Sequence, residues 1–170
     1  MNWYPFLTNG ADRHCRDAEL RLMHLRGEIR RPLSLNEISG EIVDASIKVR
    51  SALGPGLLES AYQACVAHEL RKRLLSVSMQ VAVPVRYNGV IIRAGYRIDL
   101  LVENAVIVEL KAISKVHPIH EAQLLSQMKL GDFRLGLLIN FHVLRLKDGI
   151  IPSREPHVEL RCVIRVLCGS

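Results

Sequence analysis

Residues 95–113 read GYRIDLLVENAVIVELKAI, and the fold turns on how this stretch pairs with itself. Apolar runs flank Glu103-Asn104-Ala105, so the stretch predicts two strands joined by a tight turn. Three charged residues stand inside those runs: Asp99, Glu109 and Lys111. A charge in an apolar strand loses several kcal/mol of hydration unless something compensates it.

Side chains alternate faces along a strand, so Glu109 and Lys111 share one face and Leu110 takes the other. With a three-residue loop at 103–105, position 99 lies directly opposite position 109, with Cβ atoms roughly 5 Å apart. Two carboxylates that close repel, and one takes up a proton unless a cation sits between them. Hard oxygen ligands with room for water suit Mg²⁺ or Mn²⁺. A loop one residue longer or shorter would put 99 and 109 on opposite faces, so the register decides the matter. An ordinary interstrand salt-bridge cluster accounts for the same three residues without any chemistry.

Asp99 with Glu109-Leu110-Lys111 resembles the D…(D/E)xK signature of the PD-(D/E)XK nuclease superfamily. A second motif narrows the resemblance. Residues 56–62, GLLESAY, read G-x-x-E-x-x-Y, the motif of the small GxxExxY proteins within that superfamily. The surrounding text is similar too, in order: LGPGLLESAY, VPVRYNG, RIDLLVENAVIVELKAI, IHEAQLLSQMKL and GLLINF, from about Ile38 to Gly149.

The resemblance implies an α/β fold with a mixed sheet, a core of order α-β-β-β-α-β and an extra N-terminal helix. It implies a Mg²⁺- or Mn²⁺-dependent nuclease acting on DNA, or alternatively RNA. Asp99 and Glu109 would hold the metal, with the backbone carbonyl of Leu110 and the carboxylate of Glu59 as further ligands. Lys111 would position water or stabilise developing negative charge. Gln123 stands where the exonuclease-like branch has the Gln of Q-x-x-x-Y, but Gln127 replaces the Tyr. Arg50 stands where many members of the family have His. Tyr62, Arg50 and Gln127 are candidates for substrate contact. A core aromatic accounts for Tyr62 almost as well, and a first-turn Glu that complements the helix dipole accounts for Glu59. The other reading of the whole chain is an inactive nuclease-fold module that binds nucleic acid or a protein partner. A homodimer stays open.

The order of predicted elements matches that core. Ser34 and Glu37 form a capping box, and Ile38, Ile42, Ala45, Val49 and Leu53 recur at helical spacing. Gly54-Pro55-Gly56 stops this helix, and a second carries Leu58, Ala61, Tyr62, Cys65 and Val66 on one side. Met79, Val81, Val83 and Val85 alternate with other residues, and Asn88-Gly89 marks a hairpin turn. Strands over about 90–102 and 106–113 follow. A helix runs from Ile119 to Leu130, and a buried strand over 136–141 that Asn140 caps near its end. An edge strand is expected over Val158–Leu167.

Length and composition agree with one domain over residues 34–170 and an extension over 1–33. That extension reads as an arm, an oligomerisation element or a partly disordered segment. With 49 % hydrophobic residues the core is amply supplied, and no apolar run is long enough for a membrane span. No secretory pattern opens the chain, which predicts a cytoplasmic protein. Cys15, Cys65, Cys162 and Cys168 show no CxxC pairing and read as reduced. The net charge of +6 permits a phosphate-rich partner. Arg71-Lys72-Arg73 reads either as a helix C-terminus complementing its dipole or as a phosphate contact. His117 and His120 lack a zinc-type partner and are candidates only for lining the substrate groove.

Overall fold

The structure is a computed structural model that describes residues 31–154. The expected strand over Val158–Leu167, residues 1–30 of the extension, and Cys15, Cys162 and Cys168 lie outside the described residues. Helix α1 spans Leu35–Leu53, and α2 spans Glu59–Lys72. Strands β1 (Val77–Tyr87), β2 (Val90–Val102) and β3 (Val106–Lys111) follow. Helix α3 (Pro118–Gly131) leads to β4 (Leu135–Asn140), a 3-10 turn (Leu146–Gly149) and β5 (Ile150–Arg154). The strands form one mixed sheet in the order β1-β2-β3-β4-β5. This is the expected α/β fold with its nuclease-like core and an extra N-terminal helix; β5 was not expected.

The capping box at α1 is present, with Ser34 N–H donating to Glu37 Oε2 at 2.8 Å and Glu37 N–H donating to Ser34 Oγ at 3.3 Å. Gly54 (φ 72°) ends the helix and Gly56 (φ 96°) turns the chain into α2, both in the left-handed region that glycine enters freely. The run Arg71-Lys72-Arg73 is engaged within the protein. Arg73 pairs with Glu41 and Asp44 of α1 at 2.8 Å each, Lys72 lies 3.9 Å from Glu69, and Arg71 donates to the Val77 carbonyl.

One core joins α1 and α2 to the sheet through Ile42, Val66, Leu70, Val106, Val108 and Ile139. The other joins α3 to the opposite face through Leu124, Met128, Ile107 and Leu138. Buried on both faces, β3 and β4 are parallel neighbours and apolar almost throughout. Among the described residues no helix is long and apolar enough to cross a membrane.

The turn between β2 and β3 has the expected length. Leu100 pairs with Val108, Leu101 with Ile107 and Val102 with Val106, leaving Glu103-Asn104-Ala105 as the loop. Glu103 (φ 52°) and Asn104 (φ 50°) take left-handed backbone, and Ser76 N–H donates to the Glu103 carboxylate at 2.6 Å. The ladder runs as far as Leu100 and Val108, one residue short of Asp99 and Glu109.

The alternation along β1 breaks where the sequence pattern looks regular. Residues 79 and 81 of an unbroken strand face the same side. Here Val77 and Met79 pack into the first core, whereas Val81 and Val83 pack into the second. Along β2, Leu100 and Val102 belong to the first core and Ile98 to the second. Met79 pairs with Leu100 and Val81 with Ile98, so both strands change face at Gln80 and Asp99. Gln80 has φ 55°. Left-handed backbone costs a residue other than glycine on the order of 1–3 kcal/mol, and such residues cluster at functional sites.

Candidate active site

Asp99 stands where β2 changes face, beside β3. Its Oδ2 accepts the Leu110 N–H at 2.9 Å and its Oδ1 accepts Gln80 Nε2 at 3.2 Å. From α2, Gln63 Nε2 donates to the Asp99 carbonyl at 2.6 Å, so the backbone of this residue is held as well as its side chain. Glu109 is 7 % exposed. Its Oε1 accepts Lys111 Nζ at 2.7 Å and its Oε2 accepts Gln127 Nε2 at 3.3 Å. Glu59, the first residue of α2, accepts the Ala112 N–H at 3.0 Å, just past the end of β3. Three carboxylates, one ammonium and three glutamine amides therefore gather around β3.

The charges act on one another. Burial, and then the nearby Glu109 charge, push the Asp99 carboxyl above the usual aspartate range, outweighing its hydrogen bonds and the Lys111 charge. Burial pulls the Lys111 ammonium down. The hydrogen bond it donates to Glu109 and the charges of Glu109, Glu59 and Asp99 outweigh that and hold it above the usual lysine value. Lys111 is thus a fixed cation at neutral pH.

The Asp99 shift has a consequence for stability. A carboxyl whose pKa is higher in the folded state binds more protons there, so stability falls as pH rises from the ordinary aspartate value, about 3.9, through the raised one. Metal-free Asp99→Asn should lack that loss. Its thermal midpoint, compared with that of the native protein, should be equal or lower at pH 3 and higher at pH 7. A midpoint that falls at pH 7 would mean that Asp99 serves as a stabilising salt-bridge partner instead.

The donor set suits a hard divalent cation in its chemistry. Asp99 and Glu109 offer carboxylate oxygens, and Gln127 Oε1 beside Glu109 is buried with no donor among the described residues. The set does not make a closed cage. Among the described residues no group of three or more His, Cys, Asp or Glu side chains is placed to hold a metal ion. Mg²⁺ is commonly held by one or two carboxylates and several waters, so a pair is enough for it. Leu110 brings its N–H to Asp99; its carbonyl is the atom that the resemblance offers to a metal.

Two other candidates are engaged within the protein. Tyr62, a candidate for substrate contact, is fully buried. Its ring stacks on Phe141 with centroids 4.2 Å apart, and its hydroxyl donates to the Gly54 carbonyl at 2.6 Å and accepts the Leu57 N–H at 3.3 Å. Arg50, also a candidate for substrate contact, donates to the carbonyls of Phe141 and Val143 at 2.9 and 2.8 Å. Gln123 is half-buried, and its side chain makes no hydrogen bond among the described residues. The departing residue, Gln127, reaches Glu109 instead. His117 N–H donates to His120 Nδ1 at 3.1 Å, so this pair closes the start of α3. Asn140 clasps the chain after β3, accepting from Ile113 N–H and donating to its carbonyl at 3.1 and 2.8 Å.

Sequence reasoning missed Gln63 and Gln80. Gln63 follows Tyr62 and is buried among apolar helix residues, a signal that was legible. Nothing in the sequence marks Gln80. An open cleft of about 640 Å³ lies beside Glu59, lined by Gly56, Leu57, Leu58, Ser60, Ala112 and His142.

A mixed sheet between helices, with Asp99 on one strand and Glu109-Leu110-Lys111 on the next, defines a nuclease-fold protein. The model of the PD-(D/E)XK nuclease superfamily matches residues 36–152, and the chain belongs to that superfamily. Searches of the curated proteins and of the solved structures returned no match. Membership brings a nuclease-like function and, in general terms, nucleic acid as the partner.

Proposed function

We propose that this protein is a Mg²⁺- or Mn²⁺-dependent nuclease that hydrolyses phosphodiester bonds of DNA, with RNA as the alternative substrate. We place it in the GxxExxY branch of its superfamily, with residues 34–170 as the nuclease domain and 1–33 as an extension. One observation carries the reading: Asp99 from β2 is bonded through its Oδ2 to the Leu110 N–H, and the neighbouring Glu109 accepts Lys111 Nζ at 2.7 Å, so two carboxylates and a lysine meet at β3.

Asp99 and Glu109 would hold the cation. When bound, it supplies Lewis acidity and an activated water. The chain's own residues do the rest. Lys111 stays protonated, so its part is electrostatic: it holds Glu109 in place and faces the negative charge that develops on the phosphate. Glu59, at the edge of the open cleft, orients water or substrate at the end of β3. Gln127 fixes the second oxygen of Glu109.

The test is cleavage of labelled single- and double-stranded DNA and RNA, with and without Mn²⁺, beside calorimetric Mn²⁺ titration. Metal-dependent cleavage supports the proposal, and no cleavage of any substrate overturns it. Lys111→Ala should lower kcat by about 10²–10³-fold, the range seen when one stabilising donor is removed. Its metal affinity should change far less. Unchanged turnover would remove Lys111 from the mechanism.

A second reading, a nuclease-fold module that binds without cutting, is favoured by one observation. Each site carboxylate already has a donor within the protein, and among the described residues no three-ligand group forms. Metal-independent binding of an oligonucleotide without cleavage would select it.

A further inference from the structure

We infer that Gln80 is the positioning residue of this site: it sets Asp99 in place through its backbone and its amide together. The inference rests on the reading of Asp99 as a metal-holding carboxylate, and two independent observations meet at Gln80.

The first is conformational. Among the described residues of β1, Gln80 is the one with positive φ, at 55°. Its neighbours show what that does. Met79 and Leu100 pack toward α1 and α2, while Val81 and Ile98 pack toward α3. The hairpin turns over at the level of Gln80 and Asp99. In an unturned hairpin Asp99 would keep the alternation of Leu101, on the side that Ile107 and, two residues on, Glu109 share. At the turnover Asp99 lies beside β3, where its Oδ2 accepts the Leu110 N–H.

The second is chemical. Gln80 Nε2 donates to Asp99 Oδ1 at 3.2 Å, so the carboxylate is held from β1 on one oxygen and from β3 on the other. Two donors on different oxygens fix both the position and the plane of the group. A carboxylate placed before the ligand arrives needs no ordering on binding, which is how preorganised sites gain affinity. Gln80 is solvent-exposed, so no packing demand explains glutamine in this strained position.

The test uses two variants of the full chain. Gln80→Met keeps the length of the side chain and removes the donor. Gln80→Gly removes the donor and takes left-handed backbone without strain. In metal-free protein, hydrogen exchange at the Leu110 amide should speed up about tenfold in both, while the other amides of β3 keep their rates. Unchanged exchange at Leu110, or an equal rise along all of β3, overturns the inference. If Gln80→Met fails to fold, Gln80→Gly decides alone.

Mn²⁺ titration of the same samples tests the reading underneath. Native protein that binds Mn²⁺, with affinity about tenfold lower in the variants, supports both. Binding that is equal in native protein and variants overturns the positioning role. A native protein that binds no Mn²⁺ overturns the metal reading of Asp99, while the exchange result still decides whether Gln80 places its side chain.

Discussion

Asp99→Asn and Glu109→Gln should each abolish metal-dependent cleavage, by a thousandfold or more, while the fold stays intact. A thousandfold corresponds to about 4 kcal/mol of barrier. The size follows from the charge each residue brings. On the proposed function Asp99 and Glu109 are the two carboxylates that hold the cation, and an amide cannot replace a carboxylate charge beside a divalent ion. The fold should survive because the isosteric amides keep most contacts. The carbonyl of an asparagine at 99 still accepts from Leu110 N–H, and a glutamine at 109 still fills its buried position. Calorimetry on the same proteins should show Mn²⁺ binding lost or strongly weakened. Two variants that cut at the native rate would place the reaction elsewhere.

The second large effect is on stability, and it falls on a residue of the G-x-x-E-x-x-Y motif. Tyr62→Ala should cost about 3–5 kcal/mol, the range for removing a buried aromatic ring. The ring is fully buried, stacks on Phe141 after β4 and lies in the core that joins α1 and α2 to the sheet. Tyr62→Phe separates the hydroxyl from the ring. It keeps the stack and should cost only about 1 kcal/mol, through the lost bonds to the Gly54 carbonyl and the Leu57 N–H. Those bonds tie down the 54–57 turn that precedes Glu59. Denaturant midpoints read both effects. A Tyr62→Phe protein with native stability and no cleavage would restore Tyr62 to the chemistry.

The motif thus divides by physical role. Glycine at 56 supplies left-handed backbone, Glu59 reaches the end of β3, and Tyr62 holds the turn between two helices to the core. One helical turn puts a polar candidate and a structural anchor on adjacent surfaces, which the spacing alone cannot distinguish.

Local patterns were enough to read the helices, the cap at Ser34, the Asn88-Gly89 turn and the three-residue loop between β2 and β3. Each depends on residues close in sequence, and the period-two alternation of a strand leaves little freedom in register once the loop length is given. Asp99, Glu109 and Lys111 were legible for the same reason: charges inside apolar strands are conspicuous.

What only the tertiary structure decided is where those charges find their partners. The donors to Asp99 come from β1, β3 and α2, and the donor to the second oxygen of Glu109 comes from α3. Arg50 reads as a cation for phosphate until the carbonyls after β4 are seen to occupy it. Met79, Val81 and Val83 read as a regular strand. Nothing in a glutamine at 80 announces positive φ, because such backbone is stabilised by the two cores on either side of the sheet and not by the residue that adopts it. Side-chain pattern is local and survives in the sequence. Face changes and long-range hydrogen bonds are set by which surfaces pack together, and they exist only in the folded chain.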